Sequence, residues 1–140
     1  MKITGLLTGL VLLLLAGCGN RGVPGIDEYA WTMTSVLTMA DGQVIACGEK
    51  QSSSYENARK IELVCTAEDG TLTLTDQTNN QTYAGTYQLS EKNQEAAMYT
   101  VSVSGLKGLG IAAMTEYLDG SKDPTFILNL GGYMVYFLAE

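Results

Sequence analysis

Short turn dipeptides, spaced about a dozen residues apart, divide most of this chain into segments that are too short for helices. Asp69-Gly70, Asn79-Asn80 and Gly131-Gly132 each lie between runs rich in β-branched and aromatic residues. Such dipeptides favour two-residue hairpin loops, and the apolar-polar alternation beside them is typical of half-buried strands. The pattern predicts an all-β protein, an antiparallel up-and-down meander of about eight or nine strands that closes into a small barrel.

The first two turns predict a register, because a two-residue loop determines which residues pair across it and which face they share. The loop at Asp69-Gly70 predicts the pairs Ala67–Leu72, Cys65–Leu74 and Leu63–Asp76, and the loop at Asn79-Asn80 predicts Leu72–Tyr87, Leu74–Gly85 and Asp76–Tyr83. We assign the shared apolar face to the core. Asp76 is then the one acid on that face, and we expect it at the rim, hydrogen-bonded to Tyr83 rather than catalytic.

The Gly131-Gly132 turn predicts a third hairpin at the end of the chain. It places six apolar side chains on one face, which must lie in the core: Phe126, Leu128, Leu130, Tyr133, Val135 and Phe137. The reverse face then carries Ile127, Met134 and Tyr136, an unusual amount of apolar surface for an outer wall. Either another part of the protein covers these three side chains or a partner binds them.

Two cysteines lie within predicted strands, Cys47 and Cys65. If the segments around them are neighbouring antiparallel strands joined by residues 48–60, the two face each other within disulfide reach. A strict two-residue turn at Asp41-Gly42 puts Cys47 on the opposite face, so the disulfide requires a bulge or a longer turn there. Two small buried thiols are the alternative.

The chain begins with Lys2 and an apolar run over residues 6–16, which ends in Leu15-Ala16-Gly17-Cys18. A basic start, a short apolar core and small residues indicate an export signal, and the run is about half the ~20 residues that a membrane-spanning helix needs. The last four residues resemble the lipobox of bacterial lipoproteins. The resemblance implies a signal peptide over residues 1–17, cleavage after Gly17 and a lipid on Cys18, the mature N-terminus. An ordinary secretory peptide with a chance cysteine is the alternative.

The lipid would hold the mature protein at the extracytoplasmic face of the cell membrane or outer membrane. Residues 18–28, rich in glycine, are predicted to be a flexible tether, and residues 29–140 a single domain. The chain has 15 acidic and 8 basic residues, a formal net charge of −7, and its charges are dispersed. This balance argues against nucleic acid or anionic lipid headgroups as partners, since both require clustered cations.

Most enzymatic chemistry is disfavoured by composition, because the chain has no histidine. This removes the usual general base, the usual zinc ligand and the Ser-His and Cys-His arrangements. The glycines of residues 105–110 do not follow the phosphate-loop order, and residues 119–123 lack the oxygen spacing of a calcium loop. We therefore expect no enzyme activity, no metal and no cofactor.

Several short motifs in the predicted barrel resemble the lipocalin-like domains of small bacterial lipoproteins. They are Trp31 at the head of the first strand, Asp69-Gly70-Thr71-Leu72, Gly85-Thr86-Tyr87 and Gly132-Tyr133, and the resemblance covers about residues 29–140. It implies a barrel that holds a small apolar ligand. Side chains suited to contact such a ligand are Trp31, Met33, Tyr83 and Tyr87, with core packing as the alternative reading.

Two functions follow from these patterns. The leading hypothesis is a membrane-anchored, non-catalytic binding module for a small apolar ligand inside the barrel. The alternative is a structural or inhibitory envelope module that docks a protein partner on its outer surface, through Ile127, Met134 and Tyr136. An empty interior would favour the first, and a filled interior with an exposed apolar wall would favour the second.

Overall fold

The computed structural model describes residues 22–140, which form ten β-strands and two short 3-10 helices. The strands are β1 (Trp31–Thr38), β2 (Val44–Cys47), β3 (Arg59–Lys60), β4 (Leu63–Glu68), β5 (Thr71–Asp76), β6 (Gln81–Lys92), β7 (Ala96–Val103), β8 (Leu106–Glu116), β9 (Lys122–Leu130) and β10 (Tyr133–Ala139). The 3-10 helices are Ile26–Glu28 and Glu49–Gln51. The predicted signal peptide, Cys18 and the first part of the tether lie outside the described residues.

Eight of the described strands close into an antiparallel barrel in the order β1-β4-β5-β6-β7-β8-β9-β10, and β10 pairs back with β1. From β4 onward, strands that follow each other along the chain are neighbours, which is up-and-down connectivity. Strands β2 and β3 lie outside the closed ring, where β2 pairs with the second half of β1 and, in parallel, with β3. The prediction of a small all-β barrel is confirmed.

The interior of the barrel is filled by side chains from the inward-facing rows. Trp31, Phe126, Phe137, Leu72 and Leu128 each have 1% or less of their surface exposed. The Trp31 and Phe126 rings lie 5.6 Å apart, and those of Phe126 and Phe137 lie 5.7 Å apart. These are contact distances for aromatic pairs. Because an eight-stranded barrel is just wide enough to be filled by side chains, this aromatic stack makes a solid core.

The first 3-10 helix closes one end of the barrel, and we call this the plug end. Ile26 is 1% exposed and packs in the core with half-buried Val23 beside it. The Ile26 amide donates a hydrogen bond to the Tyr99 hydroxyl at 3.2 Å, and its carbonyl accepts one from the Trp31 indole at 2.8 Å. The segment predicted from its composition as a tether therefore contributes to the core from residue 23 onward.

The hairpin between β4 and β5 has the predicted register. Asp69 and Gly70 have φ angles of 48° and 81°, the positive values that a type I′ turn requires. The pairs are Ala67–Leu72, Cys65–Leu74 and Leu63–Asp76. Local turn chemistry thus determines this part of the barrel.

The C-terminal hairpin also has its predicted register, with pairs Tyr133–Leu130, Val135–Leu128 and Phe137–Phe126. Leu130 and Val135 are half-buried and pack against the core. Tyr133 differs from the prediction, because it is 45% exposed rather than inside. It directly follows the Gly131-Gly132 turn, so it lies at the mouth of the barrel, where no further row covers it.

The register predicted from Asn79-Asn80 is wrong by two residues. The loop has four residues, 77–80, and the pairs are Leu72–Gly85, Leu74–Tyr83 and Asp76–Gln81. The Asp76 carboxylate accepts hydrogen bonds from the Asn79 amide at 3.0 Å and from its side chain at 2.8 Å, and this contact organises the longer loop. Tyr83 donates to Gln81 instead of bonding Asp76. A shift of two residues leaves every side chain on its predicted face.

The predicted disulfide between Cys47 and Cys65 is wrong, and both cysteines are free. Strands β2 and β4 do not pair with each other but follow one another along the same edge of β1. Cys47 lies opposite Ser35, and Cys65 lies opposite Trp31. Four residues along a strand span about 13 Å, whereas bridged cysteines have Cα atoms within about 7 Å. Both are fully buried, as the alternative reading expected.

Both thiols are expected to resist labelling by a maleimide in the native protein and to react fully in denaturant without reductant. Burial protects each side chain, and it raises the pKa of the Cys65 thiol to about 12, so the reactive thiolate is scarce near neutral pH. Intact-mass spectrometry after labelling measures the number of modified cysteines. If the two thiols remained unlabelled in denaturant until a reductant was added, the chain would contain the disulfide after all.

Candidate functional site

The four residues predicted to contact a ligand inside the barrel do not line a cavity. Trp31 and Met33 are fully buried members of the core. Tyr87 is half-buried and packs edge-on against Tyr99, with ring centroids 5.9 Å apart. Tyr83 is 40% exposed and lies near the mouth of the barrel. Three of the four are therefore packing residues, and Tyr83 is accessible from outside.

The cavities found among the described residues are open depressions on the outside of the barrel. One, of about 680 Å³, lies between the first 3-10 helix and the outer faces of β4 and β5, next to Glu28, Thr66 and Thr73. A second, of about 610 Å³, lies between the helix at residues 49–51 and the end of β10. Neither reaches the aromatic core.

The three residues predicted on the outer wall, Ile127, Met134 and Tyr136, are there and are half-buried. Cross-strand pairing extends their surface sideways over four strands. The row, which we call the apolar row, runs through Met98, Ile111, Ile127 and Tyr136. Neighbouring strands lie about 4.8 Å apart, so these side chains cover one another in part and form one continuous strip.

A second apolar group surrounds the Gly131-Gly132 turn, at the end opposite the plug. Met39 is 52% exposed, Leu106 is 50% exposed and Tyr133 is 45% exposed. The Met39 amide donates to the Gly132 carbonyl at 3.0 Å, and a Cβ on Gly131 would lie 3.0 Å from a methyl of Leu106. We call Met39, Leu106 and Tyr133 the apolar rim.

The rim and the row form one surface. Leu109, which is 43% exposed, pairs with Asn129, and Asn129 pairs with Met134. This lateral line lies between the apolar row and the rim, and Leu37 continues it on β1. The apolar row thus crosses the middle of the barrel wall, and this line extends it toward the rim, with Lys107 beside Leu109 on the outer face of β8.

The acids with shifted pKa values belong to turns rather than to a catalytic pair. A hydrogen bond from the Thr38 hydroxyl lowers the pKa of Asp41, and hydrogen bonds from Ser121 lower the pKa of Asp119. The Asn79 side chain lowers the pKa of Asp76 in the same way. Asp41 and Asp119 lie on two different loops and Asp76 is the last residue of β5, so each carboxyl group stabilises its own turn.

Between residues 22 and 140, no group of three or more cysteine or acidic side chains is arranged to hold a metal ion. None of the helices in the same range is long and apolar enough to cross a membrane. These findings add no further site to the outer surface.

The rim was missed by reasoning from the sequence, although the row was partly predicted. The sequence pattern around Met39 and Leu106 does not distinguish these two exposed residues from residues of the core. The sequence feature that could have indicated the rim is the Gly131-Gly132 turn. Its residues have no side chains, so they leave neighbouring apolar residues uncovered. Comparison of the chain with protein-family models, with curated protein sequences and with solved structures found no match.

Proposed function

We propose that this chain is a lipid-anchored, extracytoplasmic lipoprotein whose barrel is a non-catalytic docking module for a protein partner. The observation that carries this proposal is a solid barrel core combined with an exposed apolar rim at the end away from the tether, which the apolar row on the wall adjoins. The lipid on Cys18 supplies attachment to the membrane. The apolar rim and row supply the contact with the partner.

The filled interior favours the outer surface over an internal ligand site. A ligand inside the barrel would have to displace the Trp31, Phe126 and Phe137 rings, which already contact one another. Truncating one such buried aromatic typically costs about 3–5 kcal/mol, so a displaced stack would cancel much of the gain from binding. In this proposal the resemblance to lipocalin-like domains concerns only the barrel fold. The binding surface is the rim rather than the interior of the barrel.

The chemistry of the surface indicates the kind of partner. The rim and row contain methionine, leucine, isoleucine and tyrosine, while Asp123 lies at the plug-side margin and Lys107 directly follows Leu106 on β8. An apolar centre with a polar margin is the usual anatomy of a protein interface, and tyrosine and methionine are enriched there. The partner is therefore expected to present an uncharged apolar surface of its own.

Site-specific photo-crosslinking in the native host tests the proposal. A photoreactive phenylalanine analogue replaces Tyr133 on the rim, and the matched control carries it at Tyr55, which is 38% exposed on the connection between β2 and β3. We expect one discrete protein adduct from the position of Tyr133 and none from Tyr55. The adduct should disappear when Leu106→Glu is combined with the probe, because an unpaired charge would have to be buried at the contact.

The outcomes that contradict the proposal are distinct. No adduct at Tyr133, or the same adducts from both positions, would mean that the rim is not a docking surface. An adduct whose mass equals two copies of this chain would replace the separate partner by self-association. Each variant is checked by its thermal unfolding, so that a loss of crosslinking caused by misfolding is recognised.

A further inference from the structure

The loop between β8 and β9, residues 117–121, presents an apolar side chain directly to solvent. The Tyr117 carbonyl accepts a hydrogen bond from the Gly120 amide at 2.9 Å, and the Tyr117 amide donates to the Ser121 carbonyl at 2.8 Å. The Asp119 carboxylate accepts from the amide of Ser121 at 2.9 Å and from its hydroxyl at 2.6 Å. Leu118 lies at the corner of this hydrogen-bonded turn with its side chain fully exposed.

Neither the turn nor the core accounts for a leucine at this corner. The turn is held by Asp119 and Ser121 and by Gly120, whose φ of 85° suits a residue without a side chain. Leu118 takes no part in the core, and an apolar residue at a loop tip is exposed to water at a cost. Tyr117, beside it, is 40% exposed. The tip therefore combines an aliphatic side chain that packs against nothing in the described chain with an aromatic one whose hydroxyl is held by the Asp123 carboxylate.

This loop lies next to the point where the described chain begins. A depression of about 380 Å³ is lined by Gly22 and Val23 on one side and by Glu116 and Lys122 on the other. Glu116 and Lys122 are the residues that flank the loop. Cys18 is four residues before Gly22, and four residues span at most about 14 Å. A lipid on Cys18 would thus hold Gly22 within about 14 Å of the membrane surface, and the base of the loop lies across this depression from Gly22.

We propose that residues 117–121 are a second membrane contact, in which Leu118 inserts into the phospholipid bilayer and Tyr117 lies at the headgroup level. The inference rests on the proposed lipid anchor. Burying one leucine side chain improves partitioning by roughly tenfold or more, and the tether raises the local concentration of the loop at the bilayer. Tyrosine is enriched at membrane interfaces. The barrel then has its plug end toward the membrane and its apolar rim directed away from it.

The test uses the full-length lipoprotein, purified from host membranes and reconstituted into vesicles of phosphatidylcholine and phosphatidylethanolamine. Zwitterionic lipids are chosen because Asp119 and Asp123 outnumber Lys122 around the tip. Leu118→Trp reports on the loop, and Leu106→Trp is the matched control on the rim. With bromine on the acyl chains of the phosphatidylcholine, we expect loss of fluorescence for Leu118→Trp only. Trp31 is fully buried, so the unsubstituted protein should show no loss.

The results separate failure of this inference from failure of the anchor. Mass spectrometry of the N-terminal peptide and co-flotation with the vesicles establish whether Cys18 carries lipid. Lipidated, vesicle-bound protein in which Leu118→Trp is not quenched would overturn the loop contact and leave the anchor intact. Quenching at both positions would overturn the end-on orientation. Protein without a lipid on Cys18 that neither floats nor is quenched would overturn both the anchor and the loop contact that rests on it.

Discussion

Replacing Phe137 with alanine is expected to lower the free energy of unfolding by about 3–5 kcal/mol, as for other fully buried aromatic residues. Phe137 is 1% exposed and stacks on Phe126, so its removal leaves a cavity in the centre of the barrel. The free energy of unfolding of a small domain is only about 5–15 kcal/mol in total, so the variant retains little stability. Chemical denaturation followed by circular dichroism measures the change.

Tyr136→Ser is the matched control, because Tyr136 is the next residue along β10 and lies on the opposite face. It is half-buried in the apolar row, and its loss should cost about 1 kcal/mol or less. The pair tests the register of the hairpin. If Tyr136→Ser were the more costly change and Phe137→Ala were tolerated, β10 would be turned by one residue and the row would lie inside.

Gly108→Ala is expected to destabilise the barrel by about 3 kcal/mol, the upper end of what overpacking usually costs. A Cβ on Gly108 would overlap the carbonyl oxygen of Asn129, a backbone atom of the neighbouring strand β9. A flexible side chain could move aside, but here β8 and β9 must separate. Thermal unfolding followed by circular dichroism should show a clear drop in Tm.

Gly22→Ala is the control for the glycine change itself. A Cβ at Gly22 would meet no atom within 4 Å, so the substitution should change stability by no more than about 0.5 kcal/mol. Equal stability of the Gly108→Ala and Gly22→Ala variants would mean that β8 and β9 are farther apart than the structure shows.

The parts of the fold that could be predicted from the sequence are those controlled by a single tight turn. Asp69-Gly70 and Gly131-Gly132 have the positive φ angles that two-residue loops require, and their registers follow directly. Asn79-Asn80 looked like a loop of the same kind. There the side chain of Asp76 bonds Asn79 across a longer loop, and a dipeptide rule takes no account of this contact.

Long-range arrangements were beyond such rules. Cys47 and Cys65 lie opposite different parts of β1, because β2 and β4 share one of its edges, and no local pattern indicates that division. Ile26 packs in the core although its neighbours have the composition of a tether. The rim gathers residues from three turns at one end of the barrel, so it becomes visible only when the barrel is closed. In each case the local sequence does not indicate which distant segments of the chain pack against one another.

The plug has a mechanical consequence for an anchored protein. If Cys18 carries the proposed lipid, the chain reaches Ile26 eight residues after the membrane anchor, and Ile26 is joined to Tyr99 on β7 and to Trp31 on β1. A pull between the membrane and a bound partner would therefore load these two hydrogen bonds before it reached the strand ladders. The segment that would carry the proposed anchor is thus hydrogen-bonded to the core, so tension on that anchor and stability of the barrel would be linked.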